Sequence, residues 1–145
     1  MMELKSSKIP TWFWIVAGLA LVWNLLGAFA YIGQMTTTAE ALAALPPAER
    51  ALYENYPSWA AAAFAIAVFG GTLGCILLLL KKKLATPVFT ASFIGVAVQM
   101  IHSFFIANSI AVYGPGAAAM PAMIVIIAGA LIWHAKRSTS LGWLR

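Results

Sequence analysis

Four stretches of this chain are apolar over bilayer-like lengths, and none of them holds an aspartate or a glutamate. A helix needs roughly 20 mostly apolar residues to cross about 30 Å of hydrocarbon. The first stretch covers residues 11–34, behind Pro10, which suits a first helical turn. The second, 58–80, has Ser58 as its expected N-cap after Pro57 and is stopped by Lys81, Lys82 and Lys83. The third, 87–112, follows a very short link in which Thr86 and Pro87 supply start signals, so the second and third spans should form an antiparallel hairpin. From Pro121 to His134 there is only about 21 Å of helix, too little to cross. The fourth span is therefore expected over 117–135, just after Gly114-Pro115-Gly116, with Pro121 near its first turns. The fold expected is all-α: one integral membrane domain, 1–145, built as a four-helix bundle.

Composition agrees. With 63% of residues apolar, 9% charged and a mean hydropathy of +0.90, the chain is unlike an ordinary soluble domain. A pI near 9.7 could suggest nucleic acid, but the basic residues flank apolar spans rather than covering a water-facing surface, so no such partner is expected. Lys5, Lys8, Lys81, Lys82, Lys83, Lys136, Arg137 and Arg145 fall on one side and Arg50 alone on the other, which predicts cytoplasmic termini. Tryptophans gather towards the Lys-rich side and tyrosines, with Trp59, towards the other. The basic start and Ala28-Phe29-Ala30 imitate a cleavable signal peptide. However, the apolar run exceeds the usual 7 to 15 or so residues and holds three tryptophans, so it reads as a span.

The outer loop, 35–57, is not disordered in composition. Thr37 and Glu40 have capping-box spacing, and Pro46-Pro47 can start a second helix. Leu42, Leu45, Leu52, Tyr53 and Tyr56 can share one apolar side, giving two short amphipathic helices that serve either as a lid or as a folded connector.

Within the third span Ser92, Gly95, Gln99, His102, Ile106 and Ser109 alternate at three- and four-residue intervals, the spacing of a packed seam. Phe89, Phe93, Met100 and Phe104 lie on its other sides and suit lipid. Similar seams are Ala17, Ala20, Asn24, Gly27, Tyr31 and Gln34 in the first span, and Ala60, Ala63, Ala67, Gly70 and Gly74 in the second. The fourth offers Ala118, Ala122, Val125 and Gly129. Gly70, Gly74 and Gly95 are the expected points of close helix approach. Counted by helical rise, Asn24 and Gln99 both lie about 20 Å from the Lys-rich side with His102 a little beyond, so the three could meet. They then either hydrogen-bond one another and fix register, or line a small polar cavity, with Tyr31 and Gln34 nearer its mouth.

No catalytic set is visible: there is no Ser-His-Asp grouping, no zinc spacing and no phosphate-binding loop. His102 and His134 are separated by roughly 20 Å of depth and cannot share a metal or haem. Cys75 is the sole cysteine and forms no disulfide within the chain. Neither an enzyme nor a metal or cofactor is expected.

WNLLGAFAYIGQM in the first span, the run from NYPSW to the lysines, VQMIHSFF, VYGPG and the closing GWLR together resemble small, largely uncharacterised bacterial inner-membrane proteins. Some of these carry the label "sugar transporter". The resemblance covers nearly the whole chain and implies a multi-pass inner-membrane protein handling a small polar solute; four spans make a narrow path, so transport would call for a homo-oligomer. The other reading left open is an accessory or scaffold protein with a purely structural polar cluster.

Overall fold

The computed structural model describes residues 9–145, so Lys5 and Lys8 lie outside the described residues. These residues are all-helical. α1 (Thr11–Met35), α4 (Ser58–Leu79), α5 (Ala85–Ile101) and α7 (Ala119–Ser140) are the long helices, and a wide turn over His102–Ile106 prolongs α5. All four are long and apolar enough to cross a membrane, which makes this a membrane protein. Between α1 and α4 lie α2 (Ala39–Ala43) and α3 (Pro47–Glu54). Between α5 and α7 lie α6 (Ser109–Tyr113) and a 3₁₀ turn, Pro115–Ala118.

The α4–α5 hairpin is the spine of the bundle. α1 packs on α4 and α7 packs on α5, but α1 and α7 barely touch along their lengths. They meet only at the Lys-rich end, where the rings of Trp12 and Phe13 lie 5.6 and 5.3 Å from His134 and 5.6 and 5.7 Å from Trp143. Phe13, Leu78, Cys75 and Ala85 are fully buried there, so the tight core occupies this half of the bundle. In the α4–α5 contact a Cβ on Gly74 would sit 2.5 Å from the Phe89 ring, and one on Gly95 2.7 Å from the Ala63 carbonyl. Bare backbone is what lets these helices close up. Ser92 adds a hydroxyl donated across to the Ala67 carbonyl at 2.6 Å.

Helix ends explain the basic end. Lys81 takes a left-handed conformation (φ 60°), its N–H reaching the Leu78 carbonyl and that of Lys82 the Leu77 carbonyl, which satisfies the last carbonyls of α4. Gly142 (φ 81°) ends α7 in the same way, with its own N–H on Thr139 and that of Trp143 on Ser138. The chain then folds back to the α4–α5 turn, where Arg145 exchanges backbone hydrogen bonds with Lys81 and Lys83.

Several sequence expectations shift. Pro57, extended at ψ 156°, is the residue before α4, so Ser58 is its first helical residue and not its cap. α5 starts at Ala85 with Thr86 inside its first turn. The cap of α2 is Thr38, which accepts from the Ala41 N–H at 3.1 Å, while the Thr37 hydroxyl turns back to the carbonyls of Gly33 and Gln34, so the Thr37–Glu40 box does not form. Phe89, placed against lipid by the seam pattern, is buried at 2% exposure, because Gly74 opens a space for its ring. On α7 the inward side is Ile127, Leu131, Ala135 and Ser138, whereas Ala122 and Val125 are exposed and nothing approaches Gly129. The small residues in the first half of α7 do not mark a contact, because the helix packs near the basic end, through Leu131, Ala135 and Ser138. The third long helix ends at Ile106 instead of 112, and the fourth runs from Ala119 to Ser140 instead of 117–135.

Candidate functional site

Three sequence features assemble a polar cavity at the loop end. The first is the end of α5. The Ala107 N–H reaches back five residues to the His102 carbonyl at 2.8 Å, so this turn holds one residue more than a regular helix. Asn108 follows in the left-handed region (φ 54°, ψ 53°), which its short polar side chain tolerates, and the helix stops. The extra residue turns the seam out of phase. Ile106 becomes 61% exposed, and Ser103 and Ala107 face inward in its place.

The second feature is the loop. Arg50 donates to the carbonyls of Leu42, Ala43 and Leu45 at 3.0–3.3 Å, satisfying backbone acceptors around the end of α2 and fixing α3 against it. α3 then presents Leu52 and Tyr53 to the cavity as a roof. The third feature is Tyr56, just before Pro57, whose hydroxyl donates to Gln99 Oε1 at 2.5 Å and approaches the Ala60 carbonyl at 3.3 Å.

The space, a half-open pocket, is about 150 Å³, with Gln34, Gln99, His102 and Ser103 on its polar walls and Tyr53, Tyr56 and Tyr113 around them. His102 is 4% exposed and held edge-on between Tyr56 (5.1 Å) and Trp59 (5.5 Å). Its Nδ1 has no hydrogen-bond partner among the described residues. Burial pushes the Tyr56 phenol above its ordinary value, against the opposing pull of the Gln99 and Gln34 amides. Tyr113 is raised as well, first by burial and then by the Glu49 carboxylate beside it. Both phenols are therefore neutral donors at physiological pH.

Gln34, Gln99 and His102 thus line one cavity, and Asn24 does not join them. The Asn24 amide donates to the Ala20 carbonyl of its own helix at 2.9 Å and to Cys75 Sγ at 3.5 Å. The bare backbone of Gly71 gives it room, since a Cβ there would overlap Oδ1. Counting rise gave similar depths for Asn24 and Gln99, but they face different neighbours: α4 for the first, the loop for the second. Asn24 instead borders a separate apolar cavity of about 330 Å³ between the four long helices. Tyr31 lines neither space and packs edge-on against Phe64 (5.2 Å) and Phe69 (5.7 Å).

Sequence reasoning does not pick out the tyrosines of the cavity as site residues: it places Tyr53 and Tyr56 on the apolar side of the loop helices and Tyr113, with the other tyrosines, towards the outer side. A usable signal was present for Tyr56: a hydroxyl on the apolar side of a loop, immediately before a span, needs an acceptor in the bundle. Among the described residues no three His, Cys, Asp or Glu side chains gather as a metal site. Comparison with models of known families, with curated proteins and with solved structures finds no match.

Proposed function

We propose that this chain is a bacterial inner-membrane protein, its Lys-rich end and termini cytoplasmic, that binds a small uncharged polar solute beneath the α2–α3 lid as a step in transport. The observation that carries this reading is a space of about 150 Å³ walled by the polar side chains of Gln34, Gln99, His102 and Ser103. Each of the two amides carries N–H donors and a carbonyl acceptor, which a solute hydroxyl can engage. By liquid volume the space equals on the order of five waters, which suits a compact hydroxylated molecule. Single sugar rings belong to that class, in keeping with the resemblance noted in the sequence. Four spans leave a narrow path within one chain, so passage would use a dimer or larger assembly.

The test is thermal stability of the purified protein across a panel of polyols and monosaccharides. One member should raise the melting point, and Gln99→Leu or His102→Leu should abolish that shift. The Tyr56–Gln99 bond favours a second reading, in which the cluster is structural and the protein an accessory or scaffold. If no solute shifts the wild type and both leucine variants only lower the baseline, that second reading stands.

A further inference from the structure

The larger cavity, about 330 Å³, is unlike the first: its walls are hydrocarbon from all four long helices. Alanines border it on three helices, Ala30 on α1, Ala67 on α4 and Ala128 on α7, whereas the bare backbones of Gly27 and Gly71 are filled by Val68 and Asn24. The few polar groups are turned aside, Ser92 Oγ to the Ala67 carbonyl and the Asn24 amide to the Ala20 carbonyl. On α7 its wall extends from Met120 to Leu131, about 16 Å of helix, so the space is a slot along the bundle. Because α1 and α7 barely touch outside the basic end, the slot lies along the seam where the bundle is open to lipid.

The slot and the polar cavity are stacked. Ala30 lines the slot and Gln34, one turn on along α1, lines the polar cavity. Val96 and Gln99 repeat this relation on α5. Polar above, apolar below and open at the side is the order a lipid leaflet imposes on its own molecules. We infer that the two cavities form one site for a single-chain amphiphile, its uncharged hydroxylated head between Gln34, Gln99 and His102 and its chain in the slot between α1 and α7. This rests on the solute-binding reading above and names the substrate class. The volume fixes one chain: a methylene takes up roughly the space of a water, ~30 Å³, so the slot holds on the order of eleven. The head is uncharged because, among the described residues, no Lys, Arg, Asp or Glu lines either cavity.

Trp23 borders the slot and provides the readout. The protein in phosphatidylcholine nanodiscs is titrated with alkyl glucosides and n-alkanols, octyl to hexadecyl, brominated on the chain. The alkyl glucosides should quench fluorescence saturably, and Trp23→Phe should remove the saturable part. Ala128→Phe, and Ala30→Leu should the first fold poorly, should weaken binding about tenfold or more by filling the slot. Gly129→Leu, one residue away where nothing lies within 4 Å, serves as the bulk control. Gln99→Leu should weaken the glucosides and leave the alkanols unchanged. Unsaturable quenching, or equal quenching in Ala128→Phe, Ala30→Leu and wild type, overturns the amphiphile site. If free polyols still stabilise the protein in that case, the polar-solute reading survives without it. Should Ala128→Phe block binding while Gln99→Leu changes nothing, the slot binds chains but the head assignment fails, and with it the joined site.

Discussion

The Tyr56 hydroxyl donates to Gln99 Oε1 at 2.5 Å across 43 residues of sequence, tying the end of the lid to the middle of the bundle. The same phenol ring stands edge-on to His102 at 5.1 Å, so one side chain both closes the polar cavity and orients its histidine.

Tyr56→Phe keeps the ring and removes the donor. It should destabilise the protein by about 1 kcal/mol. Combined with Gln99→Leu in a double-mutant cycle, it should show a coupling of about 0.5–2 kcal/mol. Additive effects of the two substitutions in reversible unfolding would mean that the bond contributes nothing to the fold.

Alkaline pH should loosen the same region. Burial raises the Tyr56 and Tyr113 phenols, so above the ordinary tyrosine value near 10 the folded protein keeps protons that the unfolded chain has lost. Their contribution is complete below that pH and disappears as pH climbs through the higher folded values. Melting curves from neutral pH upward should fall less steeply for the Tyr56→Phe, Tyr113→Phe double variant. An identical fall would assign the loss to the lysines instead.

Among the described residues Lys81 is one of two non-glycine residues with positive φ, at 60°. Lys81→Gly removes the clash of its Cβ with the backbone and should stabilise the protein by about 1 kcal/mol, whereas Lys81→Ala should give no gain. A melting point for the glycine variant at or below that of the alanine variant would contradict this.

The helix contacts predict a graded glycine series. Gly95→Ala meets backbone at 2.7 Å and Gly74→Ala meets the Phe89 ring at 2.5 Å, so each should cost about 1–3 kcal/mol. Gly129→Ala meets nothing within 4 Å and should gain up to about 1 kcal/mol from helix propensity. Equal effects at all three positions in thermal unfolding would show that the close approach is not what holds α4 to α5.

The spans, the hairpin and the paired loop helices were legible because apolar length, lysine stops and the Pro46-Pro47 pair act locally. What stayed hidden depends on direction around an axis. Asn24 and Gln99 both lie on inward seams, yet a seam does not say which neighbour it faces, and α4 claims one while Tyr56 claims the other. The alanine seam of α7 misled because alanines suit lipid as well as contacts, and that helix packs through Leu131 and Ala135. The end of α5 was hidden too, since His102–Ile106 carries no residue that announces a widened turn.

That turn keys the whole rim of the polar cavity to one amino acid. Each helical residue advances the chain by about 100°, so deleting a single codon between Ser103 and Ile106 would restore regular winding and swing everything beyond it by that angle. Ile106 would rotate back towards the cavity, and Ala107 and Tyr113 would be carried out of its lining, leaving Gln34, Gln99 and His102 in place.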